Sequence, residues 1–184
     1  MFEASIAVPL SDGIGYAAEM AETSILILTT GGTIDKNYFD ALSEYQIVDS
    51  GIPALLAEAR VALPHRLIEV MRKDSLELGD ADRKLIATAA REAPEARIVI
   101  THGTDTMTET AHVLAEQVPG KTIVLTGALS PARFAETDAH FNLGMAFATA
   151  QVALPGVYIA MSGQVFDGLK VRKDRNAGKF VALS

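Results

Sequence analysis

Hydroxyl and glycine residues gather at three places in the sequence, each directly behind a short β-branched or aliphatic run. Thr29-Thr30-Gly31-Gly32-Thr33 follows Ser24 to Leu28, Thr101-His102-Gly103-Thr104-Asp105-Thr106 follows Arg97 to Ile100, and Thr126-Gly127-Ala128 follows Thr122 to Leu125. Glycine lets the backbone come close to a ligand. Hydroxyls and freed N–H groups can stabilise an oxyanion as it forms. A threonine hydroxyl is a weak nucleophile and needs a neighbouring base. With no cysteine and no clear Ser-His pair in the chain, a lysine desolvated by burial is the base available. Taken singly, each loop reads equally well as a helix cap or a turn.

The elements that must position these loops alternate. Ser24 to Leu28 reads as a buried strand, and Arg66 to Met71, Arg97 to Ile100, Thr122 to Leu125 and Val157 to Met161 read as further strands. Between them, Gly79 to Arg91 carries Leu85, Ile86 and Ala89 at helical spacing. Thr110, Val113, Leu114 and Val118 form a second helix face, and Phe141, Met145 and Ala148 a third. Asp167-Gly168 is a hairpin signal before Leu169 to Lys173. This alternation predicts an α/β fold, a three-layer sandwich around a mostly parallel sheet. In such sheets ligands bind outside the carboxyl ends of the strands, where the three loops fall.

A chain of 184 residues, 49% hydrophobic and 21% charged, has the composition of one ordinary globular domain. Residues 1–23, with Pro9, Gly13, Gly15, four acids and weak periodicity, read as a partly ordered leader, and 24–184 as the catalytic domain. The net charge of -7 disfavours nucleic acid, whose binders present a basic face. Lys36 is the first basic residue and no apolar run approaches membrane-spanning length, so a cytoplasmic protein with no membrane partner is expected. His65, His102, His112 and His140 show no metal-ligand spacing, and neither a metal nor another cofactor is expected.

Together the loops are specific. Thr29-Thr30-Gly31-Gly32-Thr33-Ile34 and Thr101-His102-Gly103-Thr104-Asp105-Thr106-Met107 resemble the two signature motifs of the bacterial-type L-asparaginase family. The resemblance continues through Lys121 to Ala128, Phe141-Asn142-Leu143 and Val165 to Gly168, with Lys173 five residues further on. It implies the fold of the family's N-terminal domain and hydrolysis of asparagine to aspartate and ammonia. By the same resemblance Thr33 is the nucleophile, Thr104, Asp105 and Lys173 form a second catalytic group, and Tyr38 belongs to a mobile loop closing over the substrate. Ser75 resembles the serine that binds the substrate's α-carboxylate. Asp74, Gly103, Thr104 and Asp105 complete the implied substrate-binding set. Backbone N–H groups around Gly32, Thr33 and Thr104 are candidates for the oxyanion hole.

The sequence departs from the family pattern at Ser130, where an arginine is usual, at Ala139, where glycine is usual, and at Leu76, where longer members often carry a glutamine that contacts the substrate. Those members have a second domain whose acidic residue reaches a neighbouring subunit's site. None is read in these 184 residues, and a homo-oligomer, dimer or tetramer, is expected. A non-catalytic amino-acid-binding module would display the same residues. A phosphate-cradling turn at Thr29 to Thr33 is the weaker reading, since neither G-x-G-x-x-G nor G-x-x-x-x-G-K-[ST] occurs.

Overall fold

The computed structural model describes residues 24–39 and 43–183; the leader reading of 1–23 lies outside them. β1 (Ile25–Gly31) runs between β4 (His65–Lys73) and β5 (Arg97–Thr101), and β6 (Thr122–Thr126), β7 (Gly156–Met161) and β8 (Gln164–Asp167) extend the sheet beyond β5. All pairings are parallel except β7 with β8. Each central strand is apolar on both faces because helices cover both. α2 (Asp80–Glu92) and α3 (Met107–Gln117) pack Ile86, Ala90, Met107 and Leu114 against Leu26, Leu28, Ile98 and Ile100. On the other face, α1 (Ile52–Glu58) and α4 (Ala139–Val152) bury Ile52, Leu56, Leu143 and Ala146 against Ile25, Ile27, Val99 and Val124. This is the expected three-layer α/β sandwich. Two small antiparallel pairs stand outside the sheet: β2 (Lys36–Phe39) with β3 (Glu44–Ile47), and β9 (Val171–Asp174) with β10 (Lys179–Ala182).

Three sequence readings are corrected. Leu85 is 51% exposed, and α2 instead turns Arg83 inward beside Ile86, Ala87 and Ala90. Phe141 is 63% exposed and Ala148 is also exposed; α4 meets the sheet through Ala139, Asn142, Leu143, Ala146 and Ala150. Small side chains bring this helix close to the sheet, and the buried Asn142 has polar partners that periodicity cannot reveal. The hairpin turn is not Asp167-Gly168 but Ser162-Gly163, both at positive φ (53° and 80°), the pairing that suits a two-residue turn. At Gly168 the chain leaves the sheet, its N–H donating to Val157 O at 2.8 Å, and carries on to β9.

In parallel order the sheet reads second, first, third, fourth, fifth strand, so its connections reverse direction between β1 and β5. Loops leave these two strands on opposite faces, which opens a crevice at their carboxyl ends. Glycines close the depth of that crevice. Gly32, at φ 83°, lies so near the β5 loop that an added Cβ would sit 2.5 Å from Gly103 N; a Cβ on Gly103 would sit 2.5 Å from Ser75 Oγ, and one on Gly127 2.4 Å from His102 O. Gly32→Ala therefore has to push the two loop backbones apart and strain its own φ. We expect it to cost about 2–4 kcal/mol, and Gly120→Ala about 1–2, because Gly120 shares the positive φ (81°) but has nothing within 4 Å. Urea melts of the two variants check this; equal losses would show that the loops yield freely.

Candidate active site

Thr33 opens a 3-10 turn (Thr33–Asp35) as soon as β1 ends, and its side chain is partly exposed. It lines a cleft of about 260 Å³ with Lys36, Tyr45, Leu129, Ser130, Pro131 and Phe134. Buried Asp35 anchors the turn, its Oδ1 accepting from Ser50 Oγ at 2.8 Å and Gly51 N at 3.1 Å. Burial pushes this carboxyl above its ordinary range despite those two donors. The Gly32 N–H donates to Lys73 O at 3.1 Å, which removes it from the oxyanion-hole candidates and leaves Thr33 and Thr104.

Thr104 and Asp105 follow Gly103 on the β5 loop. Lys173 arrives from β9, sixty-nine residues beyond Thr104 in the chain, and donates to Thr104 Oγ1 at 2.7 Å and Asp105 Oδ1 at 2.8 Å. Its side chain is 15% exposed. Arg175 Nε lies 3.9 Å from the same Asp105 oxygen, a second cation that nothing in the sequence singled out. The expected group of Thr104, Asp105 and Lys173 is thus assembled. The loop that bears Thr33 approaches this group where Gly32 lies against Gly103.

Ser75 begins a short 3-10 turn after β4, is 1% exposed, and packs beneath Gly103. Its carbonyl accepts from Thr106 Oγ1 at 2.7 Å. Asp74 caps that turn, accepting from Leu76 N at 3.1 Å, and its other oxygen meets Lys36 Nζ at 2.6 Å. Burial alone would raise the Asp74 carboxyl, but the Lys36 hydrogen bond, the Leu76 N–H and the charges of Lys36 and Lys173 together hold it below its ordinary value.

Tyr38 lies in the β2–β3 hairpin, directly across from Tyr45, with ring centroids 5.1 Å apart, and is 41% exposed. Tyr45, which the sequence reading passed over, is the tyrosine that lines the Thr33 cleft. The third loop is held by α4: Asn142 Nδ2 donates to Gly127 O at 3.0 Å, Ser162 N donates to Asn142 Oδ1 at 3.1 Å, and Asp138 accepts from Leu129 N, Ser130 N and Asn142. Among the described residues no group of three or more His, Cys, Asp or Glu side chains is placed to hold a metal, and no helix is long and apolar enough to cross a membrane.

His102 supports the β5 loop from behind. Its ring bridges Gly103 O at 2.7 Å and Thr110 Oγ1 at 2.8 Å, and burial pushes it down to about 4.

A doubly wound α/β domain whose glycine and hydroxyl loops meet at its switch point is of the class that carries its ligand crevice at the carboxyl edge of the sheet. The family model described as "Asparaginase, N-terminal" matches residues 24–182, and the chain belongs to the asparaginase family. It is 32% identical over 163 residues to the L-asparaginase of Thermococcus kodakarensis, covering 84% of this chain and 48% of that protein. It is 34% identical over 172 residues to L-asparaginase 2 of Escherichia coli, covering 85% and 48%. The solved structure of the thermostable Thermococcus kodakarensis L-asparaginase superposes with a TM-score of 0.76 at 28% identity, covering 86% of this chain and 51% of that one. The chain thus spans about half the length of these curated relatives.

The buried histidine has a consequence for pH. In the unfolded chain it binds a proton below about 6.5, and in the folded one only below about 4, so stability present above 6.5 is lost as pH falls through this window. The loss attributable to His102 is at most about 3 kcal/mol. Denaturant melts at several pH values should show the wild type losing more stability than His102→Gln between pH 6.5 and 4. Parallel curves would mean that His102 protonates without disturbing the fold.

Proposed function

We propose that the chain carries the catalytic half-site of an L-asparagine amidohydrolase, with residues 24–184 as the catalytic domain, Thr33 as nucleophile and no cofactor. The observation that carries this is Lys173 Nζ bonded at once to Thr104 Oγ1 and Asp105 Oδ1, on a loop whose backbone touches the loop bearing Thr33. Asp105 holds the amine in place, and for Lys173 to act as base it takes part as the neutral amine, the Thr104 O–H then donating to its Nζ while Thr104 takes the proton that leaves Thr33. Thr33 Oγ then attacks the side-chain amide carbon, while the N–H groups of Thr33 and Thr104 face the developing oxyanion. Collapse expels ammonia with the proton returned through Lys173, and water releases aspartate from the ester by the reverse path. Gly103, Ser75 and Asp74 form the floor and side of the substrate site. The relatives named as L-asparaginases support the substrate class. A cytoplasmic homo-oligomer, dimer or tetramer, belongs to the same proposal; the exposed Phe141, Leu129 and Val165 offer apolar surface for association.

A non-catalytic amino-acid-binding module shares these residues and is separated by turnover. Ammonia release from asparagine is the expected result, abolished in Thr33→Val, which keeps the side-chain shape without the hydroxyl. Asp105→Asn and Lys173→Met should each lower kcat by about 100-fold or more, and the double variant little further, because groups acting as one unit fail together. Binding of asparagine with no ammonia released would establish the module instead.

The tyrosines give a separate test. Because Tyr45 lines the Thr33 cleft, Tyr45→Phe should lower kcat by about tenfold or more and Tyr38→Phe by less. The reverse order in steady-state kinetics would return the role to Tyr38, as the family resemblance first implied.

A further inference from the structure

The cleft beside Thr33 is larger and less polar than the loss of ammonia requires. It measures about 260 Å³, whereas one water, which ammonia matches in size, takes roughly 30 Å³ of the liquid, and an apolar cavity of roughly 150 Å³ holds benzene. Leu129, Pro131, Phe134 and Tyr45 make most of its wall, with the Tyr45 and Phe134 ring centroids 6.1 Å apart. Among the described lining residues Lys36 alone is charged, and that charge is committed to Asp74 at 2.6 Å. Ser130 completes the wall where the family pattern has an arginine, so the cleft is spared a long cation at that position. Arg133, on the same loop, is bonded instead to Asp49 O at 2.7 Å. The loop is held at both ends. Leu129 N and Ser130 N donate to Asp138 at 2.9 and 3.0 Å, Thr137 Oγ1 donates to Ser130 O at 2.9 Å, and Ala132 N donates at 3.0 Å to Ile34 O, on the turn that Thr33 opens.

We infer that this cleft is a subsite for an apolar group on the leaving nitrogen, so that the chain also hydrolyses asparagine bearing an alkyl or aryl substituent on its side-chain amide. The inference rests on the reading of Thr33 as nucleophile toward an amino-acid amide. Sheet order gives the direction. Asp74 and Ser75 follow β4 on one side of β1, and Leu129 to Phe134 follow β6 on the other. A substrate with its head group toward the β4 loop and its amide carbon at Thr33 has its nitrogen toward the β6 loop. A secondary amide is planar and trans, which points the substituent of that nitrogen away from the acyl chain and into the cleft. The chemistry is that of asparagine with one N–H exchanged for N–C. The bond from Thr33 Oγ to the amide carbon forms, the C–N bond breaks, and the nitrogen takes the proton held on Lys173 and leaves as a primary amine. Water then cleaves the ester, giving aspartate and restoring the Thr33 hydroxyl. Burial of the substituent against Leu129, Pro131 and the two rings favours such amides over the unsubstituted one.

The test compares asparagine with the β-anilide of L-aspartate, following ammonia or aniline released, and measures binding of both by calorimetry in Thr33→Val, where turnover does not interfere. In Thr33→Val the anilide should bind about tenfold or more tighter than asparagine, and the wild-type protein should release aniline with a KM lower by a similar factor. Ser130→Arg, which fills the cleft, and Leu129→Ala and Phe134→Ala, which strip its wall, should each lower kcat/KM for the anilide relative to that for asparagine by about fivefold or more. A folding defect lowers both rates alike, so the ratio is what is read. A wild-type ratio in all three variants, or equal binding of the two amides in Thr33→Val, overturns the subsite whatever the rate on asparagine. Ammonia from asparagine with no aniline from the anilide sinks the subsite alone. Tighter binding of the anilide that Phe134→Ala abolishes, in a protein that releases neither product, would sustain the cleft as the place of the substituent and sink the hydrolase.

Discussion

The close approach of backbones at the carboxyl edge of the sheet is the constraint on which the rest of the site depends. Gly32 against Gly103, Gly103 against Ser75 and Gly127 against His102 leave no room for a Cβ at any of the three glycines. Only because these strand-end loops touch are residues on three different connections brought to one place. Backbone contact also spares the depth of the crevice from flexible side chains, so the hydroxyls of Thr33 and Thr104 stand on rigid supports. The supports are themselves tied into the sheet: Thr30 Oγ1 donates to Thr101 O at 2.8 Å and Thr126 Oγ1 to Ala160 O at 2.9 Å, both fully within the protein.

Around this contact the charges form a chain. Asp105 holds Lys173, Lys173 adds its field to Asp74, and Asp74 holds Lys36 on the turn that begins with Thr33. The chain joins the β9–β10 hairpin, the β5 loop, the β4 loop and the start of the β2–β3 hairpin without a metal ligand or a thiol. Behind it His102 stays neutral and uses both ring nitrogens, so the β5 loop is held by hydrogen bonds and carries no buried charge of its own there. A buried imidazolium beside Arg83 would oppose that arrangement, since the arginine charge already disfavours it.

The α/β alternation, the parallel strands of the sheet and the three strand-end loops were legible from apolar runs and the glycines that end them. The tail beyond β7 was misread, because Asp167-Gly168 has the better composition for a turn, while Ser162-Gly163 has the φ values that β7 and β8 need. The inward faces of α2 and α4 were misread for a related reason. Arg83 is buried with Glu109 as a partner at 2.5 Å, and Asn142 with the backbones of Gly127 and Ser162; hydrophobic spacing scores such residues as outward. Tyr45 was missed because only the register of β2 with β3 puts it across from Tyr38, and only the packing of that hairpin puts it at the cleft.

What the sequence determined by itself is whatever depends on neighbours in the chain: the parallel strands and the three longer helices, the turn chemistry of Gly31-Gly32 and Gly103, and the motif residues that mark the asparaginase family. What only the tertiary structure decided is every pairing across a long interval: Lys173 with Thr104 and Asp105, Lys36 with Asp74, and Asn142 with Gly127. A residue's type fixes what it can bond. Which bond it makes is set by where the crossovers of a parallel sheet deliver it, and those paths are fixed by burying both faces of the sheet at once.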